Sequence, residues 1–271
     1  MERAKRSERV VAIMRALCAQ PGHLFTLRDF VEQFGCAKST LSEDVAVVRN
    51  VLSRYGTGLI ETSNGAAGGV RFLPFYSDEA NRAFVERVCR ELAKPERILP
   101  GGYLYIADMF SRPDVIGRMG EIFAKRFYEK QPDVVVTVEA MGVPIALMVA
   151  QALGKPLVTV RRNNRATEGS TVTINYMSAS SRRMQSMSLS RRLLVPGQKA
   201  LLIDDFMKGG GTAKGLSDMM DEFSVQVVGM GVILSMESPG KRRSEDCYPL
   251  MLLHEVNEEE KRILIRPASW L

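Results

Sequence analysis

The chain has 271 residues, of which 45% are hydrophobic and 25% charged, with a formal net charge of +6. That length suits two domains, and the mixture is that of soluble globular protein rather than of a disordered or fibrous one. Neither an apolar leader nor a run of about 18 apolar residues occurs, and the four cysteines (Cys18, Cys36, Cys89, Cys247) form no CxxC pair, so the expectation is a cytoplasmic protein with reduced thiols and no metal-ligating set.

From Glu8 onward, Val10, Val11, Ile13, Met14 and Leu17 recur at helical spacing, and Pro21-Gly22 ends the run. Thr26 suits the cap of a second helix, Leu27 to Phe34, closed by Gly35. A third, KSTLSEDVAVVRNVLSRYG, carries a stripe of Leu41, Val45, Val48 and Leu52 and stops at Gly56. Ile60 and Thr62 then alternate with polar neighbours, Asn64-Gly65 begins a turn, and Val70, Phe72 and Phe75 return, which reads as a β-hairpin. A helix-turn-helix followed by a hairpin is a winged helix, expected over residues 1–75. On duplex DNA, Lys38, Ser39, Thr40 and Ser42 would enter the major groove. The wing, Asn64 to Arg71, would reach the backbone or minor groove, and the leader Arg3, Lys5, Arg6 and Arg9 would lie near phosphates. Three helices and a hairpin also suit a protein-docking module, and Glu43 and Asp44 beside the reading face oppose DNA unless they serve the helix dipole.

The segment SDEANRAFVERVCRELAKPERILPGG predicts a linking helix, capped at Ser77 and ended before Pro95, assigned to residues 76–95. From residue 96 helices and strands alternate. MGEIFAKRFYEK and GVPIALMVAQALG read as helices; DVVVTV, PLVTVRR, KALLIDDF and VVGMGVILSM read as strands. Unbroken Val/Ile/Leu runs mark parallel strands covered on both faces. The expected fold class is therefore α/β, an N-terminal winged helix-turn-helix and a C-terminal parallel-sheet domain over residues 96–271. In such sheets ligands bind beyond the carboxyl ends of the strands.

One of those ends is ALLIDDFMKGGGTAKGL, residues 200–216. Gly209, Gly210 and Gly211 let the backbone approach a phosphate, and a helix starting near Thr212 would point its N–H groups at it, helped by Lys208 and the Thr212 hydroxyl. Asp204 and Asp205 would repel that phosphate. They suit adjacent ribose hydroxyls or the water shell of a metal. The alternative is a glycine-rich turn with solvated aspartates. Eight basic residues stand against Glu168 alone between Arg161 and Lys199, a further sign of polyanionic partners. The segment Arg165 to Ser190, rich in Ser and Thr, reads either as a hood over the site or as a basic insertion without fixed structure.

LLIDDFMKGGGT resembles the phosphoribosyl-pyrophosphate motif of type I phosphoribosyltransferases. The whole chain resembles the bacterial purine operon repressors, a winged helix fused to a phosphoribosyltransferase-like domain, through KRSERVV, AKSTLSED, GAAGGV, PERILPGGY, TEGSTVTINYMSASS and IDDFMKGGGT, which span residues 5 to about 235. The resemblance implies a dimeric regulator of double-stranded operator DNA whose effector, phosphoribosyl pyrophosphate, weakens DNA binding, with Mg2+ an optional companion and no transferase activity. It assigns Asp204 and Asp205, with Phe206 beside them, to the ribose hydroxyls, and Lys208, Gly209, Gly210, Gly211 and Thr212 to the 5-phosphate. It assigns Ala140, Met141 and Gly142 to a pyrophosphate loop, with Arg161 nearby. The family pattern implies Thr-Lys-Gly in that loop, so Met141 and the preceding Glu139 should weaken pyrophosphate contacts unless Arg161 or Arg162 compensates. Tyr103 either closes one wall of the pocket or is a core residue. Two other classes stay open: an active purine phosphoribosyltransferase, and a sensor of another ribose polyphosphate such as a guanine alarmone.

Overall fold

The computed structural model describes residues 4–63, 65, 68–162, 169–177, 183–236 and 246–271. The chain divides into two compact units, Met1–Ser77 with Gln151–Gly154, and Asp78–Ala150 with Lys155–Leu271.

The first unit contains α1 (Arg6–Ala19), β1 (Phe25–Thr26), α2 (Leu27–Phe34), α3 (Lys38–Tyr55), β2 (Leu59–Ser63) and β3 (Gly69–Leu73). Thr26 and Asp29 cap α2 reciprocally: the Thr26 N–H donates to Asp29 Oδ2 at 2.9 Å and the Asp29 N–H to Thr26 Oγ1 at 3.3 Å. Gly35 and Gly56 end α2 and α3 in the left-handed conformation, φ 58° and 62°. Ile13, Leu17, Phe30, Leu41, Val45, Val48, Leu52 and Ile60 form the core. The β2–β3 hairpin pairs Ile60 with Phe72, and the short β1 adds a third antiparallel strand to β3. This is a winged helix-turn-helix. The expected α1 stripe needs one correction, because Val11 is exposed while Arg9 is buried.

The second unit opens with α4 (Asp78–Leu92), which buries Phe84, Val85, Val88 and Leu92 and packs on the last two strands of the sheet, so the helix expected as a linker belongs to this unit's core. A small ribbon of β4 (Ile98–Leu99) and β5 (Tyr103–Leu104) follows, then α5 (Ala107–Phe110) and α6 (Pro113–Phe127). The remaining elements are β6 (Val134–Val138), α7 (Gly142–Leu153), β7 (Leu157–Val160), β8 (Thr171–Met177), β9 (Met184–Ser190), β10 (Lys199–Met207), α8 (Gly211–Glu222), β11 (Gln226–Met236), β12 (Cys247–Asn257) and β13 (Arg262–Pro267).

Six strands make one sheet in the order β13-β12-β11-β10-β6-β7, parallel except for β13. Its two faces explain the unbroken apolar runs. Val134, Val136, Ala200 and Leu202 join a core with Leu216 and Met219 of α8 and Val172 and Leu189 of the β8–β9 hairpin. On the other face, a side chain at Gly231 would meet Phe123 of α6 and Ile203. Every strand residue of β6 is buried as a result.

Candidate functional site

Strand β10 delivers the site. It ends at Met207; Asp204 is 5% exposed, and the Asp205 N–H donates to Asp204 Oδ1 at 3.0 Å. Burial, and then the hydrogen bond and charge of Asp205, push the Asp204 carboxyl well above the usual carboxylate range, while Arg162 pulls part of the way back. Helix α8 begins at Gly211 behind Gly210, which sits at φ 74° with no side chain capping the helix. The orphan N–H groups of its first turn are thus available to an anion. Asp204, Phe206, Lys208, Gly209, Gly210, Gly211 and Thr212 line one cavity of about 60 Å³, together with Met207, Ala213 and Met230. Lys208 has no ion-pair partner among the described residues.

The neighbouring strand ends meet this wall. After β6 comes Glu139-Ala140-Met141, with a cis peptide between Glu139 and Ala140, and α7 starts at Gly142. A Cβ on Gly142 would touch Thr137 and come within 3.1 Å of Asp204 Oδ1, so only glycine brings this loop so close. After β7, Arg161 Nη1 donates to Glu139 Oε2 at 3.1 Å and the Arg162 N–H to Glu139 Oε1 at 2.9 Å. Glu139, expected to weaken pyrophosphate contacts, is held by the Arg161 guanidinium and the Arg162 main-chain N–H, the two residues that were to offset the missing lysine. Met141 is 43% exposed.

Two expectations are corrected. Tyr103 is neither core nor a wall of the cavity. It is 69% exposed on the β4–β5 ribbon, whose Gly101 and Gly102 N–H groups donate to Glu258. Most of the described part of the presumed hood is regular: β8 and β9 pair from Thr171↔Ser190 to Met177↔Met184, and β8 packs on α8. Gly215 of α8 makes that contact possible, since a Cβ there would lie 2.9 Å from Met187 and 3.0 Å from Tyr176.

In the first unit, Lys38, Ser39 and Ser42 are exposed in the first turn and a half of α3, with Thr40 partly covered, and Ser42 Oγ donates back to the Lys38 carbonyl at 3.0 Å. Lys5 is exposed, and Arg6 stands 3.4 Å from Asp44. Arg9 is not available for phosphate, because it is buried against Asp44 at 2.7 Å. Asp44 in turn faces the core and not the reading face. Arg71 pairs with Glu61 across the hairpin at 3.1 Å, so its charge is already answered. Arg3 and Asn64 lie outside the described residues. Among the described residues, no helix is long and apolar enough to cross a membrane, and no group of three or more His, Cys, Asp or Glu side chains could hold a metal.

Comparison with known proteins places both units. Residues 5–74 match the model of the bacterial purine repressor N-terminal domain, and residues 111–262 that of the phosphoribosyl transferase domain. The chain is 41% identical over 267 residues to the purine biosynthesis transcriptional repressor of Bacillus subtilis, covering 98% of this chain and 94% of that one. It is 38% identical over 259 residues to a purine biosynthesis transcriptional activator of Lactococcus lactis, covering 96% of each. Among solved structures it is similar to adenine phosphoribosyltransferase from Thermoanaerobacter pseudethanolicus, with a TM-score of 0.52 at 16% identity over 61% of this chain and 98% of the other. That likeness carries the fold alone. A winged helix followed by a phosphoribosyltransferase-like sheet, matched along almost its whole length by these regulators, makes the chain a member of the bacterial purine repressor family.

Proposed function

We propose that the chain is a DNA-binding transcriptional regulator of purine biosynthesis genes, acting as a repressor whose hold on its operator is relieved by phosphoribosyl pyrophosphate. The observation that carries this reading is the pairing of buried Asp204 and half-buried Asp205 at the end of β10 with the uncapped start of α8, in a chain that also bears a winged helix. The 5-phosphate would take the N–H groups of Gly211 and Thr212 with Lys208, and the ribose hydroxyls would donate to the two aspartates. Mg2+ fits as a companion of the diphosphate, its water shell donating to the same carboxylates.

Regulation follows from linkage. An effector that binds better to the conformation not competent for DNA lowers operator affinity by the ratio of its two affinities. The named relatives include both a repressor and an activator of purine biosynthesis. Two-fold operators are read by two-fold proteins, which implies a homodimer, and the cytoplasm is the compartment for such a regulator.

A second reading, a working purine phosphoribosyltransferase, is favoured by one finding: 32% identity over 141 residues to the xanthine phosphoribosyltransferase of Deinococcus deserti, covering 51% of this chain. Against it stands Met141, which leaves the loop after β6 without a side-chain cation of its own for a departing pyrophosphate. The test is calorimetry with phosphoribosyl pyrophosphate on the wild type and on Asp204→Ala/Asp205→Ala, beside titrations of purine-operon promoter DNA with and without the effector. Tight effector binding lost in the double variant, and promoter affinity lowered by effector in the wild type alone, is the expected result. Equal binding by both proteins refutes the site. Turnover of a purine base by the same sample refutes the regulator-only reading.

A further inference from the structure

We propose that Glu139 is a resident competitor for the anion subsite beside Asp204, so that this one carboxylate decides which sugar phosphates the pocket accepts; the inference rests on the sugar-phosphate reading above. Glu139 follows β6, anchored by its N–H to the Val160 carbonyl at 3.0 Å. Its two carboxylate oxygens are both taken, Oε2 by Arg161 Nη1 at 3.1 Å and Oε1 by the Arg162 N–H at 2.9 Å. Arg162 Nε closes the arrangement on the Glu139 carbonyl at 3.2 Å. Arg161 is held from its other side, its N–H and C=O bonded to Ser188 of β9 at 2.9 and 2.7 Å. Three residues beyond Glu139, Gly142 abuts Asp204. Both guanidinium groups at this end of the sheet are therefore engaged by the protein itself, next to the aspartates assigned to the ribose.

A guanidinium fork accepts phosphate in the same bidentate geometry as carboxylate. A ligand carrying a diphosphate at this point can exchange places with the Glu139 carboxylate and recover the Arg161 guanidinium and the Arg162 N–H, while Arg162 Nε keeps the Glu139 main-chain carbonyl. A ligand without one leaves Glu139 where it is. The exchange costs the Glu139 contacts, and the displaced carboxylate opposes the incoming charge at short range. Glu139 thus lowers affinity for diphosphate-bearing sugars while leaving the grip of α8 on a 5-phosphate untouched, which holds the response threshold for such an effector high.

Calorimetry on the full chain, with phosphoribosyl pyrophosphate, ribose 5-phosphate and inorganic pyrophosphate, compares the wild type with Glu139→Gln. The glutamine keeps an oxygen for the Arg162 N–H and removes the charge. The expected result is about tenfold tighter binding of the first and third ligands, a difference of about 1.4 kcal/mol, with ribose 5-phosphate unchanged. Unchanged or weaker phosphoribosyl pyrophosphate binding, with ribose 5-phosphate intact, overturns the proposal and makes Glu139 a positioning residue for the arginines. Should Glu139→Gln fail to fold, Arg161→Gln decides: the proposal requires a fall in the affinity ratio of phosphoribosyl pyrophosphate to ribose 5-phosphate, and a constant ratio overturns it. A wild type that does not bind ribose 5-phosphate refutes the cradle reading instead. The inorganic pyrophosphate comparison then judges Glu139 on its own.

Discussion

Arg9 and Asp44 form a buried ion pair, Nε to Oδ2 at 2.7 Å, that ties α1 to α3 at the start of the presumed reading helix. Arg9 also donates to the Ala4 carbonyl at 2.7 Å, so the same side chain fixes the leader. Removing one member of such a pair strands the other charge in a site that water does not reach, which is the costly way to break it. Arg9→Ala or Asp44→Ala should lower the thermal midpoint of the winged helix by several degrees. Exchanging both for apolar residues should recover much of the loss. Arg6→Ala, at the exposed end of the cluster, should leave the midpoint nearly unchanged and weaken DNA binding with a shallower salt dependence. Melting curves of the four variants with promoter-DNA titrations check this; an Arg9→Ala protein as stable as wild type would show that the pair is ornamental.

The phosphate cradle predicts a contrast between two of its positions, Lys208 and Gly210. Lys208 has no ion-pair partner among the described residues, so it can donate a charge-assisted bond to an anion at α8. Lys208→Ala should weaken ribose 5-phosphate by about tenfold, the lower end of what a bond to a charged group contributes. Gly210 has φ 74° and open space where a Cβ would stand. Gly210→Ala should therefore cost about 1 kcal/mol of stability through its backbone, an effect that Lys208→Ala should not show. Calorimetry and denaturant melts separate the two effects, and a large affinity loss in Gly210→Ala would mean that the glycine contacts the ligand directly.

Much of this was legible in the sequence, and what was not has a physical reason. Strands β6, β10 and β11 announced themselves because both faces are covered and the runs 134–136, 200–203 and 227–234 carry no polar side chain. Thr26 and Asp29 wrote the α2 cap in four residues. By contrast, β12 runs into the acidic turn before β13, and β13 is an antiparallel edge strand with arginine at both Arg262 and Arg266. Their pairing depends on partners far along the chain. Strands β8 and β9 are rich in Ser and Thr, and only their packing on α8 distinguishes them from a loop. Asp44 was the instructive miss. Leu41, Asp44 and Val48 share one helical face, so the spacing already turned Asp44 inward, and Arg9 stands one turn before buried Ile13 in the same way. The engagement of Arg161 and Arg162 by Glu139 joins two strand ends that are separated by all of α7, which no local pattern encodes.

The hairpin gives a packing prediction. A methyl group on Gly215 would meet the Met187 Cε at 2.9 Å, which can swing away, and the Tyr176 Cγ and Cβ at 3.0 and 3.1 Å, which cannot do so without moving β8. Gly215→Ala should destabilise the second unit by about 1–3 kcal/mol, the usual range for overpacking. Amide exchange should rise selectively in residues 171–177 and 184–190. Uniform protection across both strands would show that the hairpin does not depend on its fit to α8.

Asp204 predicts stability bought at the expense of function. Its carboxyl is held well above the usual range, chiefly by burial and then by Asp205, so the folded protein binds a proton there more tightly than the unfolded chain does. The sign follows: the ionised form is penalised by folding, and that penalty is absent below the unfolded value of about 3.9, grows as pH rises, and levels off once the raised folded value has been passed. Asp204→Asn keeps an oxygen for the Asp205 N–H and deletes the charge. At neutral pH the variant should melt higher than wild type, by about 2–4 °C for each kcal/mol relieved, with the gain vanishing near pH 4. It should also lose most of its affinity for phosphoribosyl pyrophosphate, because an amide accepts fewer hydrogen bonds from ribose hydroxyls than a carboxylate does. Paired melting curves from pH 4 to 8 and calorimetry at pH 7 check both halves. A variant less stable than wild type at neutral pH would mean that Asp204 is stabilised by contacts strong enough to outweigh its burial beside a second acid.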